Sequence, residues 1–125
     1  IRIASYLEAK NTLIPALKYL RETFLKKGSE YSHVVKTGRT HLMDAMPVTF
    51  AQEFGGYARQ IEIGIQRIES ALVQMAELLM GGTAVGTGIN TDPEFPPKFA
   101  EEISKLSGES FREAENHFEA QSTVD

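Results

Sequence analysis

The feature that most constrains this chain is an apolar repeat between residues 47 and 80. Its members follow one another at alternating spacings of three and four: Ala51, Phe54, Ala58, Ile61, Ile65, Ile68, Leu72, Met75 and Leu79. A period of about 3.5 residues is typical of a helix packed along a coiled-coil-like seam. We therefore predict a long helix that begins at Pro47, whose missing N–H suits a first turn, and ends before Gly81 and Gly82.

The other predicted elements are shorter. We expect helices over about residues 3–26 and 96–107, with loops over 28–46 and 81–95. One face of the first helix carries apolar side chains at helical spacing: Tyr6, Leu13, Leu17, Leu20 and Phe24. Pro15 predicts a kink near residue 12, because proline removes one helical hydrogen bond and crowds the preceding turn. Gly28 predicts the end of this helix.

The long helix has more apolar surface than these elements can cover. A second stripe beside the seam consists of Tyr57, Gly64, Ala71 and Leu78. Glycines 55, 56 and 64 are expected at close helix contacts, since an interior helical glycine costs about 1 kcal/mol relative to alanine. The predicted fold class is all-α, a bundle of long helices completed by other helices from a longer chain or from other subunits. The first residue is Ile1 and not methionine, which also leads us to expect a piece of a longer polypeptide.

Composition limits the possible partners. The chain has 13 basic and 17 acidic residues, a net charge of −4, and no basic run, which argues against a nucleic-acid partner. It has no cysteine, so disulfides and thiolate metal sites are excluded within it, and a reducing compartment is consistent with this. No apolar run reaches the 18 residues typical of a membrane span, so we expect no membrane partner.

The polar run from Lys36 to Pro47 holds the residues best suited to chemistry. His41 exchanges protons near neutral pH, and the adjacent Thr40 offers a hydroxyl to a carboxylate. Arg39 could stabilise an anion, and Asp44 could either orient the imidazole or cap the following helix. The alternative is a surface loop in which His41 bonds only to backbone.

Two further features have mainly structural interpretations. The glycine-rich segment at residues 81–92 has neither the lysine of a phosphate-binding loop nor a preceding strand, so structural support is favoured over substrate contact. His33 and His117 lack the spacing of paired metal ligands and are interpreted as surface or packing residues. Glu101 and Glu102 are interpreted as part of a solvated helix face.

Two segments of the chain resemble the fumarase/aspartase superfamily, and within it the class II fumarate hydratases. The first is GRTHLMDAMPVTFAQEFGGYARQIE at residues 38–62; the second is GGTAVGTGIN at residues 81–90, with NHFEA following at 116–120. The resemblance implies that Thr40 binds a substrate carboxylate and that His41 relays a proton together with an ordered water. Met43 stands where the family often has glutamine, and little consequence is expected because this position does not carry the proton chemistry.

The resemblance also implies an assembly. Such chains contribute a central helical domain to a homotetramer, in which three segments from three subunits form each active site around a dicarboxylate substrate. A Ser-Ser-Asn-Asp segment is expected upstream of Ile1 and the catalytic serine downstream of Asp125, so this chain would hold one of the three segments. No cofactor and no metal are expected. A cytoplasmic location is expected, or a mitochondrial one in a eukaryote.

The activity that the resemblance implies is the reversible hydration of fumarate to L-malate. One alternative is aspartate ammonia-lyase, which shares the fold and the substrate skeleton; aspartases tend to have glutamine where this chain has His41. The other alternative is a helical assembly module that is inactive alone.

Overall fold

The computed structural model describes residues 1–122. In chain order it contains α1 (Arg2–Glu8), a π-helical turn (Ala9–Leu13), α2 (Ile14–Glu30), β1 (Val35–Thr40), β2 (Met43–Thr49), α3 (Phe50–Met75), β3 (Glu77–Leu78), α4 (Phe95–Ser107), β4 (Arg112–Glu113) and α5 (His117–Ser122). Helices dominate, as predicted. However, β1 pairs with β2 and β3 pairs with β4, so two small sheets correct the all-α prediction. The described residues form two compact units, one of Leu7–Ser70 and one of Ile1–Tyr6 together with the residues from Ala71 onward. The single helical domain stays a prediction.

In the unit Leu7–Ser70, α2 packs against the first turns of α3. The Phe24 ring lies 5.8 Å from the Phe54 ring and 5.6 Å from the Tyr57 ring, centroid to centroid. Gly28 is buried, and a Cβ there would lie 3.5 Å from the Cα of Ala51. The prediction that Gly28 ends the helix is therefore wrong. The helix continues to Glu30, and the glycine instead allows the two backbones to approach closely.

The glycines within α3 do not make such contacts in the described part of the chain. A Cβ at position 55, 56 or 64 would meet no atom within 4 Å among those residues. The close approach predicted for these three glycines is thus not made by any helix among residues 1–122.

The π-helical turn ends at Leu13, two residues before Pro15, in the region of the predicted kink. Because proline has no N–H to donate, the regular four-residue pattern is interrupted at this point. The N–H of Ile14 instead donates to the carbonyl of Ala9, five residues earlier.

The start of α3 is set by a capping box. The Thr49 Oγ1 accepts from the N–H of Gln52 at 3.2 Å, and the Gln52 Oε1 accepts from the N–H of Thr49 at 2.9 Å. These reciprocal bonds satisfy helix-terminal donors and fix the first helical residue as Phe50. The predicted start at Pro47 is wrong, because Pro47 lies in β2 opposite Thr37.

The seam of α3 is buried at the spacing that the sequence predicts. Ala58, Ile65 and Leu72, seven residues apart, are buried, whereas Tyr57 and Val73 remain exposed. The helix ends at Met75, five residues before the predicted end, because the next residues form β3. There the strand pairs in parallel with β4, and its Glu77 carbonyl also accepts from the Arg2 guanidinium at 2.9 Å.

The predicted third helix is observed as α4, within one residue of its expected bounds. Gly108 ends it in the left-handed conformation at φ 73°. Its Ser104 hydroxyl donates to the Ala100 carbonyl and accepts from the N–H of Phe111, which joins the helix to the segment before β4. On its exposed face, the hydrogen bond from Lys105 lowers the pKa of Glu101.

Candidate active site

The predicted loop over residues 28–46 is instead largely an antiparallel hairpin, and its tip holds the candidate residues. Thr40 pairs with Met43, so His41 and Leu42 form a two-residue turn. Both have positive φ, 49° and 62°, which is the backbone sign that type I′ hairpin turns require. The hairpin escaped prediction because such turns usually contain Asn-Gly or Asp-Gly, and here the turn residues are histidine and leucine.

The structure therefore brings Thr40 and His41 together at the end of a projecting ribbon. Thr40, His41 and Leu42 are all exposed, Leu42 with 97% of its surface accessible. Methionines 43 and 46 on β2 are also largely exposed. A hydroxyl and an imidazole on an exposed turn can contact a small anion, but a substrate enclosed from water would require further protein surface around the tip.

Arg39 and Asp44 face each other one residue pair below the turn. The Arg39 Nε lies 3.1 Å from the Asp44 Oδ1, and both side chains are mostly exposed. Such an exposed pair contributes at most about 1 kcal/mol. Asp44 does not cap the following helix, since Thr49 does so, and that prediction is wrong. Its effect on the imidazole stays a prediction.

The base of the hairpin is joined to α3 by contacts that the sequence did not predict. The Lys36 Nζ lies 2.6 Å from the Glu53 Oε1, and both side chains are about 70% buried, with 31% and 27% of their surface exposed. The same ammonium lies 5.8 Å from the centre of the Phe50 ring. Lys36 and Glu53 are 17 residues apart, and no local pattern links them. The two residues meet only because the hairpin returns the chain to the start of α3, so the contact could not be predicted without the hairpin.

Gly38 is needed for the ribbon to keep its register. The pairing shifts between Thr37 and Arg39, and a Cβ at Gly38 would lie 2.6 Å from the Met46 carbonyl oxygen. A side chain at this position would force the Met46 backbone to shift, so the bulge favours glycine.

The glycine-rich loop belongs to the other unit, where it packs against helices. A Cβ at Gly81 would collide with the Pro96 ring at 2.2 Å, and one at Gly86 would lie 3.0 Å from the Phe118 ring. The hydroxyls of Thr83 and Thr91 lie 2.7 Å apart across the loop. These contacts agree with the structural-support interpretation.

The two remaining histidines agree with their predicted surface or packing roles. His33 is exposed. His117 packs beside the glycine-rich loop with 14% of its side chain exposed, and its Nε2 lies 3.5 Å from the Glu113 Oε1. Among residues 1–122, no cluster of three or more His, Asp or Glu side chains is arranged to bind a metal ion. Between Ile1 and Ser122, no helix has the length and apolar character needed to cross a membrane.

Comparison with known proteins identifies the family. A family model described as lyase matches residues 1–125. The chain belongs to this lyase family. The resemblance inferred from residues 38–62 and 81–90 is thereby confirmed, and similar proteins identify the branch. A class II fumarate hydratase of Corynebacterium glutamicum is 56% identical over 124 residues, which cover 98% of this chain and 26% of that protein.

Other relatives of this lyase chain agree. The mitochondrial fumarate hydratase of Saccharomyces cerevisiae is 51% identical over 120 residues, covering 96% of this chain and 25% of that protein. The crystal structure of a recombinant class II fumarase from Schistosoma mansoni matches with a TM-score of 0.86 at 30% identity, covering 95% of this chain and 28% of that chain. The chain thus spans about a quarter of the length of the relatives it matches.

Proposed function

We propose that the protein containing this chain is a fumarate hydratase that interconverts fumarate and L-malate. The observation that carries this proposal is the 56% identity to a class II fumarate hydratase over 98% of the chain, including the hairpin with Thr40 and His41. A histidine on the turn also favours hydration over the aspartase reaction, for which the resemblance implies glutamine at this position.

Each residue at the tip has a distinct proposed role. The Thr40 hydroxyl donates to a substrate carboxylate, an interaction present before and during the reaction. His41 relays a proton at the hydroxyl end of the substrate, acting with an ordered water. The base that removes the proton alpha to the other carboxylate belongs to another segment of the protein. The reaction then requires no cofactor and no metal.

We further propose that the protein is a homotetramer with active sites shared between subunits. The exposed hairpin tip supports this arrangement, because a substrate held there needs additional protein surface to exclude water. The exposed Tyr57 and Val73 beside the buried seam of α3 support further helix packing in such an assembly. The proposal includes a small dicarboxylate as the substrate. It also includes a cytoplasmic location, or a mitochondrial one in a eukaryote.

Replacing His41 by asparagine in the full-length enzyme tests the function. Turnover of fumarate should fall by about 10²–10⁴-fold, the usual contribution of one acid–base group. Loss of fumarate is followed by its ultraviolet absorbance. His33→Asn, which changes an exposed histidine outside the hairpin, is the matched control and should retain full turnover.

Two results would contradict the proposal. A His41→Asn enzyme with nearly full turnover would remove this residue from the mechanism. An unaltered enzyme that releases ammonia from L-aspartate and does not hydrate fumarate would be an aspartate ammonia-lyase.

A further inference from the structure

The proposed catalytic histidine lies at the tip of the β1–β2 hairpin, far from the base where the hairpin contacts α3. Lys36 and His41 are five positions apart in the sequence, which at about 3.3 Å per residue is roughly 16 Å. A tilt of about 5° at the base would therefore move the tip by roughly 1.4 Å. Misplacement of a reacting group by about 1 Å can lower a rate on the order of 10²-fold. Contacts at the base thus have a large effect on where the imidazole lies.

The hydrogen bonds between β1 and β2 cannot set the tilt of the hairpin relative to α3. Hydrogen bonds between β1 and β2 fix each strand relative to the other, and the Gly38 bulge fixes their register. An isolated two-stranded hairpin is marginally stable and leaves its orientation to the elements beside it. The orientation must therefore come from contacts between the hairpin base and α3.

Few such contacts are candidates. The N–H of Phe50 donates to the Val34 carbonyl at 3.2 Å, which joins the two backbones at the point where the chain enters the hairpin. The capping box of Thr49 and Gln52 joins the end of β2 to the same helix turn. For β1, the side-chain link is the Lys36 ammonium, held between the Glu53 carboxylate and the Phe50 ring. Glu53 lies in the first turn of α3, so this ion pair connects the second residue of β1 directly to the helix.

We infer that Lys36 and Glu53 are positioning residues for the proposed hydration, because their ion pair sets the tilt of the hairpin and thereby the location of His41 and Thr40. This inference rests on the proposed function. Neither residue is expected to contact the substrate; both act through the hairpin.

The chain contains a closely matched control. The Lys27 Nζ lies 2.8 Å from the Glu30 Oε2 and 5.5 Å from the centre of the Tyr31 ring. These contacts resemble those of Lys36, but the pair is more exposed, at 47% and 45%, and both of its residues lie in α2. Lys27→Met removes a comparable ion pair without removing a contact between the hairpin and α3.

The test measures steady-state kinetics of the full-length enzyme with fumarate and with malate. Lys36→Met should lower kcat by about 10- to 100-fold, as expected for a misplaced acid–base group. Glu53→Gln should also lower kcat. If Lys36→Met does not fold, the kcat of Glu53→Gln tests the inference instead. Lys27→Met should leave kcat unchanged. The exchanged pair Lys36→Glu with Glu53→Lys should recover most of the lost turnover.

A double-mutant cycle separates positioning from general damage. In a His41→Asn background, Lys36→Met should lower the remaining turnover by less than threefold, because there is no longer an imidazole to misplace. A full 10- to 100-fold loss in that background, or no loss in the unaltered background, would overturn the inference. If the unaltered enzyme does not hydrate fumarate, the proposed function is refuted. That result differs from the two kcat results that would overturn the positioning role.

Discussion

At the scale of single residues, the most informative observation is the backbone of the hairpin turn. His41 and Leu42 both adopt positive φ, which is uncommon outside glycine and unfavourable for a residue such as leucine. Strain of this kind costs on the order of 1–3 kcal/mol and is found most often at functional sites. The Leu42 side chain is 97% exposed, so the described part of the chain provides no burial that would offset this strain. The turn geometry therefore agrees with a functional role for the tip.

Thr40→Val tests the proposed carboxylate anchor. The hydroxyl donates to a group that carries charge in both the substrate and the transition state, so its loss should mostly weaken uniform binding. A hydrogen bond to a charged group contributes about 1.5–3 kcal/mol, so KM should rise roughly 10- to 150-fold while kcat changes little. Valine keeps the branched shape and suits a strand.

The matched control for this change is Thr37→Val, on the same strand and also exposed but away from the turn. Thr37→Val should leave both KM and kcat unchanged. If Thr40→Val lowers kcat and leaves KM unaltered, the hydroxyl acts in the transition state and the anchor role is wrong.

At the scale of elements, α3 is the scaffold on which the candidate site is built. Its first turn supplies both the capping box and Glu53, the carboxylate that holds the hairpin. Further along, its seam is buried at Ala58, Ile65 and Leu72. One helix thus combines packing along its length with placement of the hairpin at its start.

Ile65→Asp is expected to disrupt this scaffold. Ile65 is 5% exposed, and an unpaired carboxylate there would lower stability by several kcal/mol. In the full-length protein we predict dissociated or aggregated subunits by light scattering. Gln66→Asp, at the exposed neighbouring position, is the control and should leave the assembly intact. An intact tetramer carrying Ile65→Asp would show that the assembly does not depend on this seam.

At the scale of the whole molecule, the chain presents a site that it does not enclose. Its proposed binding and proton-relay groups lie on an exposed tip, and its lyase relatives are about four times as long. The purified 125-residue chain is therefore expected to hydrate no fumarate, with the full-length enzyme as the positive control in the same absorbance assay. Turnover in the ordinary enzyme range of about 1–10³ s⁻¹ would refute the shared-site proposal.

The sequence alone determined the features that depend on neighbours along the chain. Helical hydrogen bonds link residues four apart, so apolar spacing predicted the seam of α3 and the location of α4. The segments at residues 38–62 and 81–90 were likewise enough to indicate the family, which the match over the whole chain confirmed.

Only the tertiary structure decided the features that depend on distant residues. The predicted loop is a hairpin because β1 and β2 pair across a His-Leu turn that carries no usual turn signal. Gly28 lies inside a helix, not at its end, because Ala51 and Phe54 lie against it. Lys36 meets Glu53 only because the hairpin returns the chain to the start of α3. Cross-strand pairing and helix contact join residues that are separate in sequence, so local patterns do not specify them.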